Sequence, residues 1–242
     1  MKPEELLLFI SRGRTDYLFK LFQLNNWQQL LNEGPVKLLQ WLVYYNDTTA
    51  LGAILAKGGT LVSINLNDEL GNAAFFGHWK VCDFLINEGA DVNAFVDKTN
   101  ESPLHNALVK SGRPYYFYVV KLLVEKGADV NAKTKPGVET GAFMRDVRTC
   151  GETPLHRAAA YADVKTIQFL IDNGADKSAL DAHGNSPMSW ASLHLRPGEV
   201  LFLLNHGDHQ VSAAHKTRNI SDHGQGWGNS IDWNLLGDYL PE

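Results

Sequence analysis

"TPLHRAAAYADVKTIQFLIDNGAD", residues 153–176, decides how the rest of the chain is read. It holds a histidine, an arginine, a tyrosine and three aspartates, so it is either a chemical site or a structural unit. Its local physics points to a unit. Thr153 suits a helix N-cap, and Pro154 suits the first helical position, where no amide donor is lost. Leu155 starts an apolar stripe, and Ala158 and Ala159 are small enough to let a neighbouring helix approach closely. Val164, Ile167, Phe169, Leu170 and Ile171 form the stripe of a second helix. Gly174 then ends that helix in the left-handed conformation that residues with a β-carbon resist. One such helix pair cannot bury its own apolar faces, but stacked pairs can.

The unit repeats. "EGADVNA" at 88–94 recurs as "KGADVNA" at 126–132 and "NGADKSA" at 173–179. "SPLHNAL" from Ser102 and "SPMSWAS" from Ser186 match "TPLHRAA" from Thr153, and weaker copies run from Leu6, Leu39 and Leu70. The closing residues are Asn25, Gly58, Gly89, Gly127, Gly174 and Gly207, spaced by 33, 31, 38, 47 and 33. Asparagine is the usual substitute for glycine at such an end, so Asn25 is expected to be left-handed too. These residues resemble the ankyrin repeat, with its period of about 33 and its T-P-L-H-x-A signature. The resemblance covers roughly residues 6–207; the first two units lack the T-P-L-H tetrad. It implies an all-α, ankyrin-type solenoid of about six helix-turn-helix repeats with loop fingers and a non-repeat C-terminal tail. The expected organisation is a degenerate capping repeat at 1–35, the array at 36–207, and an extension at 208–242 packed on the array.

Composition agrees. The 242 residues are 44% hydrophobic and 20% charged, with a formal net charge of -5, which argues against a disordered chain. A mildly acidic total gives no support to nucleic-acid binding, which needs a basic face. Cys82 and Cys150 fit a reduced, cytoplasmic protein better than a disulfide-stapled one. The start, "MKPEELLLFISRGR", has only five consecutive apolar residues. That is short of a secretory h-region and of a membrane span, so neither is expected.

Irregular spacing locates two insertions. From Gly127 to His156 is 29 residues, against 15 from Gly174 to Ser189, which puts 14 extra residues before the fifth unit. That insertion, at about 133–150, carries Lys133, Lys135, Arg145 and Arg148, with Phe143 and Met144 near its middle. Four further residues lengthen the turn inside the fourth unit. Long loops on one face of an array often carry binding, so Phe143 and Arg145 are candidate contacts.

The histidines invite catalysis but lack its other parts. No nucleophile or base recurs beside His105 and His156. In ankyrin-like units this histidine ties backbone between repeats, and His78 follows the same template. His206, His209, His215 and His223 cluster near the C-terminus, yet their spacings match no metal-ligand set. A solvated loop is expected there, the alternative being a metal- or small-molecule-responsive protein. No nucleophile elbow or phosphate-binding glycine loop occurs. Neither enzyme activity nor a cofactor is expected.

The register carries the functional signal. The ankyrin-like template sends three first-helix positions per unit into a concave groove. In order they include Leu8, Ser11 and Arg12; Trp41, Tyr44 and Tyr45; Asn72, Phe75 and Phe76; Asn106, Val109 and Lys110; Arg157, Ala160 and Tyr161; and Trp190, Leu193 and His194. Seven of these eighteen are aromatic, against 10% of the whole chain. Large rings on an exposed face mark interaction sites. The expected partner is another protein, with no nucleic acid and no membrane, met by a monomer. Two readings compete: the C-terminal segment occupies the groove itself, or some rings, notably Trp41 and Trp190, are core.

Overall fold

The computed structural model describes residues 2–33, 36–95, 98–109, 115–140 and 150–207, and among them there is no strand. The chain gathers into two compact units. One holds Met1–Phe95, Ser102–Ala107 and Pro114–Ala128; the other holds the rest of the described chain.

In the first unit the helices pair off as the repeats require. Helix α1 (Pro3–Ser11) returns through a 3-10 turn (Thr15–Tyr17) into α2 (Leu18–Leu21), followed by the short α3 (Trp27–Leu30). Then come α4 (Leu38–Tyr44) with α5 (Thr48–Ala56), α6 (Leu66–Phe76) with α7 (Trp79–Asn87), and α8 (Pro103–Asn106) with α9 (Tyr116–Glu125). First helices stack on first helices, α1 on α4, α4 on α6 and α6 on α8, while α5, α7 and α9 form the second layer. The alanine pair does what its size suggests: Ala73 and Ala74 are fully buried where α6 meets its neighbours. Asn25 departs from expectation. It is not among the residues with positive φ, because the chain there runs on through turns into α3 instead of closing a loop.

The second unit contains α10 (Pro154–Tyr161), α11 (Val164–Asp172), α12 (Pro187–Leu193) and α13 (Gly198–Leu204). Helix α10 packs on both α11 and α12, and α13 covers α11 and α12. Leu155, Ala158, Ala159, Ile167 and Leu170 are fully buried between them. Asp163 caps α11 by accepting the Thr166 amide at 2.7 Å. Gly174 ends α11 with φ +90, the conformation expected of it.

The loop motif has a role its repetition only hinted at. In "GADVNA" the aspartate accepts an amide two residues on, Asp91 from Asn93 and Asp129 from Asn131, both at 2.9 Å. The asparagine then reaches the next helix end. Asn93 Nδ2 donates to the Gly127 carbonyl and Asn131 Nδ2 to that of Gly174, each at 2.9 Å. Helix C-termini leave carbonyls without intrahelical partners, and this side chain satisfies one at each junction.

His156 behaves as the repeat template implies. Its Nδ1 accepts the Thr153 amide at 3.2 Å and lies 2.8 Å from the Thr153 hydroxyl, so the ring proton sits on Nε2 and is donated to the Asn185 carbonyl at 3.0 Å. The bond joins the start of α10 to the loop before α12. His78 similarly donates from Nδ1 to the Val43 carbonyl at 3.1 Å. Burial lowers the pKa of both rings, because it penalises the charged form. A ring kept neutral in the folded chain still takes up a proton once unfolded, so the unfolded state binds more protons below its pKa near 6.5. The stabilisation is complete above that pH and is lost as pH falls. The urea midpoint is expected to drop steadily from pH 7 to pH 5, His156 costing up to about 1.4 kcal/mol per pH unit. A flat midpoint across that range would contradict the neutral rings.

Candidate protein-interaction site

The aromatic residues of α4 and α6 converge on one face of the first unit. Tyr44 meets Trp41 edge to face at 6.0 Å, Tyr45 at 5.0 Å and Phe76 at 5.1 Å. Phe75 joins Phe76 at 5.3 Å, and the His78 ring stacks on Phe76 at 5.6 Å. Edge-to-face pairs of this kind hold one another in place. Tyr44 is the outermost ring, 48% exposed, and Asn72 is exposed beside it. Trp41, Tyr45, Phe75, Phe76 and Asn106 are half-buried.

Some of these rings also serve the fold. The Tyr45 hydroxyl donates to the Ser11 carbonyl at the end of α1, at 2.8 Å. Its ring lies so near Gly13 that a β-carbon there would come within 3.3 Å. Tyr116 donates to the Phe75 carbonyl at 2.7 Å and fixes the end of α6. The Tyr45 ring is thus braced against the end of α1, whereas Trp41, Tyr44 and Phe76 line an open cleft.

A cleft of about 240 Å³ opens between α4 and α6, walled by Trp41, Tyr44 and Phe76 and bounded by Val36 and Val43. Two polar residues at its edge were not among the sequence candidates. Glu69, only 3% exposed, accepts from Gln40 Nε2 at 2.8 Å and from Asn72 Nδ2 at 3.3 Å. Gln40 is oriented by its other end, whose oxygen accepts the Lys37 amide at the start of α4 at 3.0 Å. In the sequence Gln40 reads as a helix-start residue and Glu69 as a first-turn acid, which is why neither stood out.

In the second unit four expected groove residues lie inside the protein: Val109, Arg157, Ala160 and Trp190. Arg157 is fully buried. Its guanidinium meets Glu152 at 2.6 Å, Glu101 at 2.8 Å and the Thr140 hydroxyl at 3.3 Å. Thr134 donates to the second Glu152 oxygen at 2.7 Å. The residues flanking the long insertion have folded over this helix position and turned a groove site into an ion-pair core. Both acids stand immediately before the S/T-P-L-H tetrad, in "ESPLH" and "ETPLH", so the signal was present in the repeat. Trp190 is also corrected: it is 2% exposed, packs with Cys150, Ala160 and half-buried Tyr161, and donates to Asp181 Oδ2 at 2.9 Å. That agrees with the competing reading of Trp190 as core, whereas Trp41 keeps an exposed part. Lys110, Phe143 and Arg145 lie outside the described residues, as does the tail 208–242 with His209, His215 and His223.

Among the described residues no group of three or more His, Cys, Asp or Glu is placed to hold a metal. No described helix is long and apolar enough to cross a membrane.

The family model for ankyrin repeats matches residues 28–134 and 137–213. A putative ankyrin repeat protein of Rickettsia felis is 36% identical over 156 residues, covering 61% of this chain and 57% of that protein. Human Rabankyrin-5 is 32% identical over 105 residues, 43% of this chain and 8% of its own length. Human neurogenic locus notch homolog protein 2 is 31% identical over 143 residues, 51% of this chain and 6% of its own. The chain spans less than two thirds of each of these relatives. Ankyrin repeats generally mediate protein–protein interaction and are generally not enzymes. With its helix pairs, its S-P-L-H and T-P-L-H tetrads and a family match over more than half its length, the chain belongs to the ankyrin-repeat family.

Proposed function

We propose that this chain is a protein-recognition module, a scaffold, adaptor, inhibitor or immunity-type binder, whose anchor is the aromatic face of α4 and α6. The observation that carries the reading is the mutually braced cluster of exposed Tyr44 with half-buried Trp41 and Phe76, lining an open cleft. Interface hot spots concentrate in such rings because they bury much area at little entropic cost. Asn72, Asn106 and Tyr161 extend the proposed contact set, and the insertion, with Phe143 and Arg145, would add a specificity element. Lys110 belongs to the same set. The proposed setting is cytoplasmic, supported by two buried free thiols, Cys82 and Cys150.

The test is affinity capture from the source cells with the wild type, a Tyr44→Ala/Phe76→Ala variant, and a variant at Lys121, an exposed residue of α9 outside the cluster. The double variant is expected to lose its partner by at least about tenfold, the size of one hot-spot truncation, while Lys121→Ala retains it. Equal recovery by all three proteins rules out this face.

A further inference from the structure

We infer that the cleft between α4 and α6 receives a basic side chain, the lysine or arginine of a partner segment, with Glu69 as its counter-charge. This rests on the recognition reading above and names the chemistry of its anchor.

The inference starts from an incomplete polar site. Glu69 lines the cleft and is almost fully removed from water. Its two oxygens receive one neutral amide N–H each, from Gln40 and from Asn72. A carboxylate has about four acceptor positions, so two remain for a further donor. No Lys, Arg or His of the described residues pairs with it. Contrast Glu152, which is just as buried and meets Arg157 at 2.6 Å. A buried acid held only by neutral amides is costly, and a cation arriving from outside would offset that cost.

The walls suit a cation. Trp41 and Tyr44 are perpendicular at 89°, and Tyr44 and Phe76 at 85°, so three rings form adjoining sides of the cleft. Aromatic faces attract ammonium and guanidinium groups, tryptophan most strongly. Their apolar area also fits the methylene stem that such side chains carry. Among the described residues, none lining the cleft is basic and would repel the guest. Lys37, which precedes α4, directs its ammonium to the Asn32 carbonyl at 2.5 Å. The net charge of -5 would further favour encounter with a basic segment. An anion or an uncharged apolar side chain would leave Glu69 without a charge partner.

The test is a display screen of random peptides against the full chain, with each selected peptide resynthesised in protonated, lysine-acetylated or norleucine-substituted form. Binding is measured on the wild type, on Tyr44→Ala, on Glu69→Gln and on Asn72→Lys. Because Glu69 is buried, thermal unfolding checks that variant, and Asn72→Lys supplies an independent probe at an exposed position beside the cleft. The expected result is a set of binders that require Tyr44 and contain lysine or arginine. They weaken about tenfold on neutralising their basic residue, and about tenfold on Glu69→Gln or Asn72→Lys. Binders that need Tyr44 but are indifferent to both changes overturn the basic-side-chain inference and leave the recognition face standing. Failure to recover any Tyr44-dependent binder overturns both.

Discussion

Replacing Arg157 with methionine is expected to lower the unfolding free energy by about 3–5 kcal/mol, the usual cost of removing one partner of a buried ion pair. The size follows from what is left behind. Glu152 is fully buried and Glu101 is 4% exposed, and both turn an oxygen toward the guanidinium. Methionine fills much of the space but donates nothing, so two buried acids lose their strongest donor. A triple variant that also carries Glu101→Leu and Glu152→Leu is expected to recover a large part of the loss, since apolar replacements of such networks are often tolerated. Urea unfolding of the three proteins at pH 7 measures this. A loss below about 1 kcal/mol in Arg157→Met would mean that the guanidinium is solvated and would restore Arg157 as a surface contact.

Trp190 makes the second large prediction. Trp190→Ala is expected to cost about 3–5 kcal/mol, from lost transfer energy plus the cavity left between α10 and α12. Trp190→Phe separates ring from hydrogen bond. It keeps a ring against His156, whose centroid lies 5.3 Å away, but removes the shorter of two hydrogen bonds to Asp181 Oδ2. Asn185 still reaches that oxygen at 3.3 Å, so the expected cost is about 1 kcal/mol, the low end for a buried acceptor that loses its donor. Chemical unfolding of both variants decides it. Alanine and phenylalanine proteins of equal stability would show that the cavity contributes nothing and would contradict the packing described.

What the sequence revealed was local. The proline after Ser102, Thr153 and Ser186, the alanine pairs and the glycine ends act within a turn or two of themselves, so their pattern needs no knowledge of distant chain. The groove register was partly legible for the same reason: Trp41, Tyr44, Phe75 and Phe76 lie on α4 and α6, in units without a long loop. Arg157 and Trp190 were misplaced because their exposure is decided from elsewhere. Thr140 sits 17 positions from Arg157 and Glu101 sits 56, and those residues close over a site that helix periodicity alone leaves open. Glu69 and Gln40 were missed for a different reason. Each has an ordinary role near a helix start, and only the packing of α6 on α4 brings them together at one cleft.

The asparagine that closes each "GADVNA" loop has a consequence for how such chains change length. Asn93 reaches a glycine carbonyl 34 positions ahead, and Asn131 reaches its equivalent 43 positions ahead, at the same 2.9 Å. The joint between neighbouring repeats is thus measured in space and not along the chain. Extra residues between two such joints cost only loop-closure entropy, about 0.2 kcal/mol for this difference. New sequence can accumulate there, or be grafted there, while the helices on either side keep their registration.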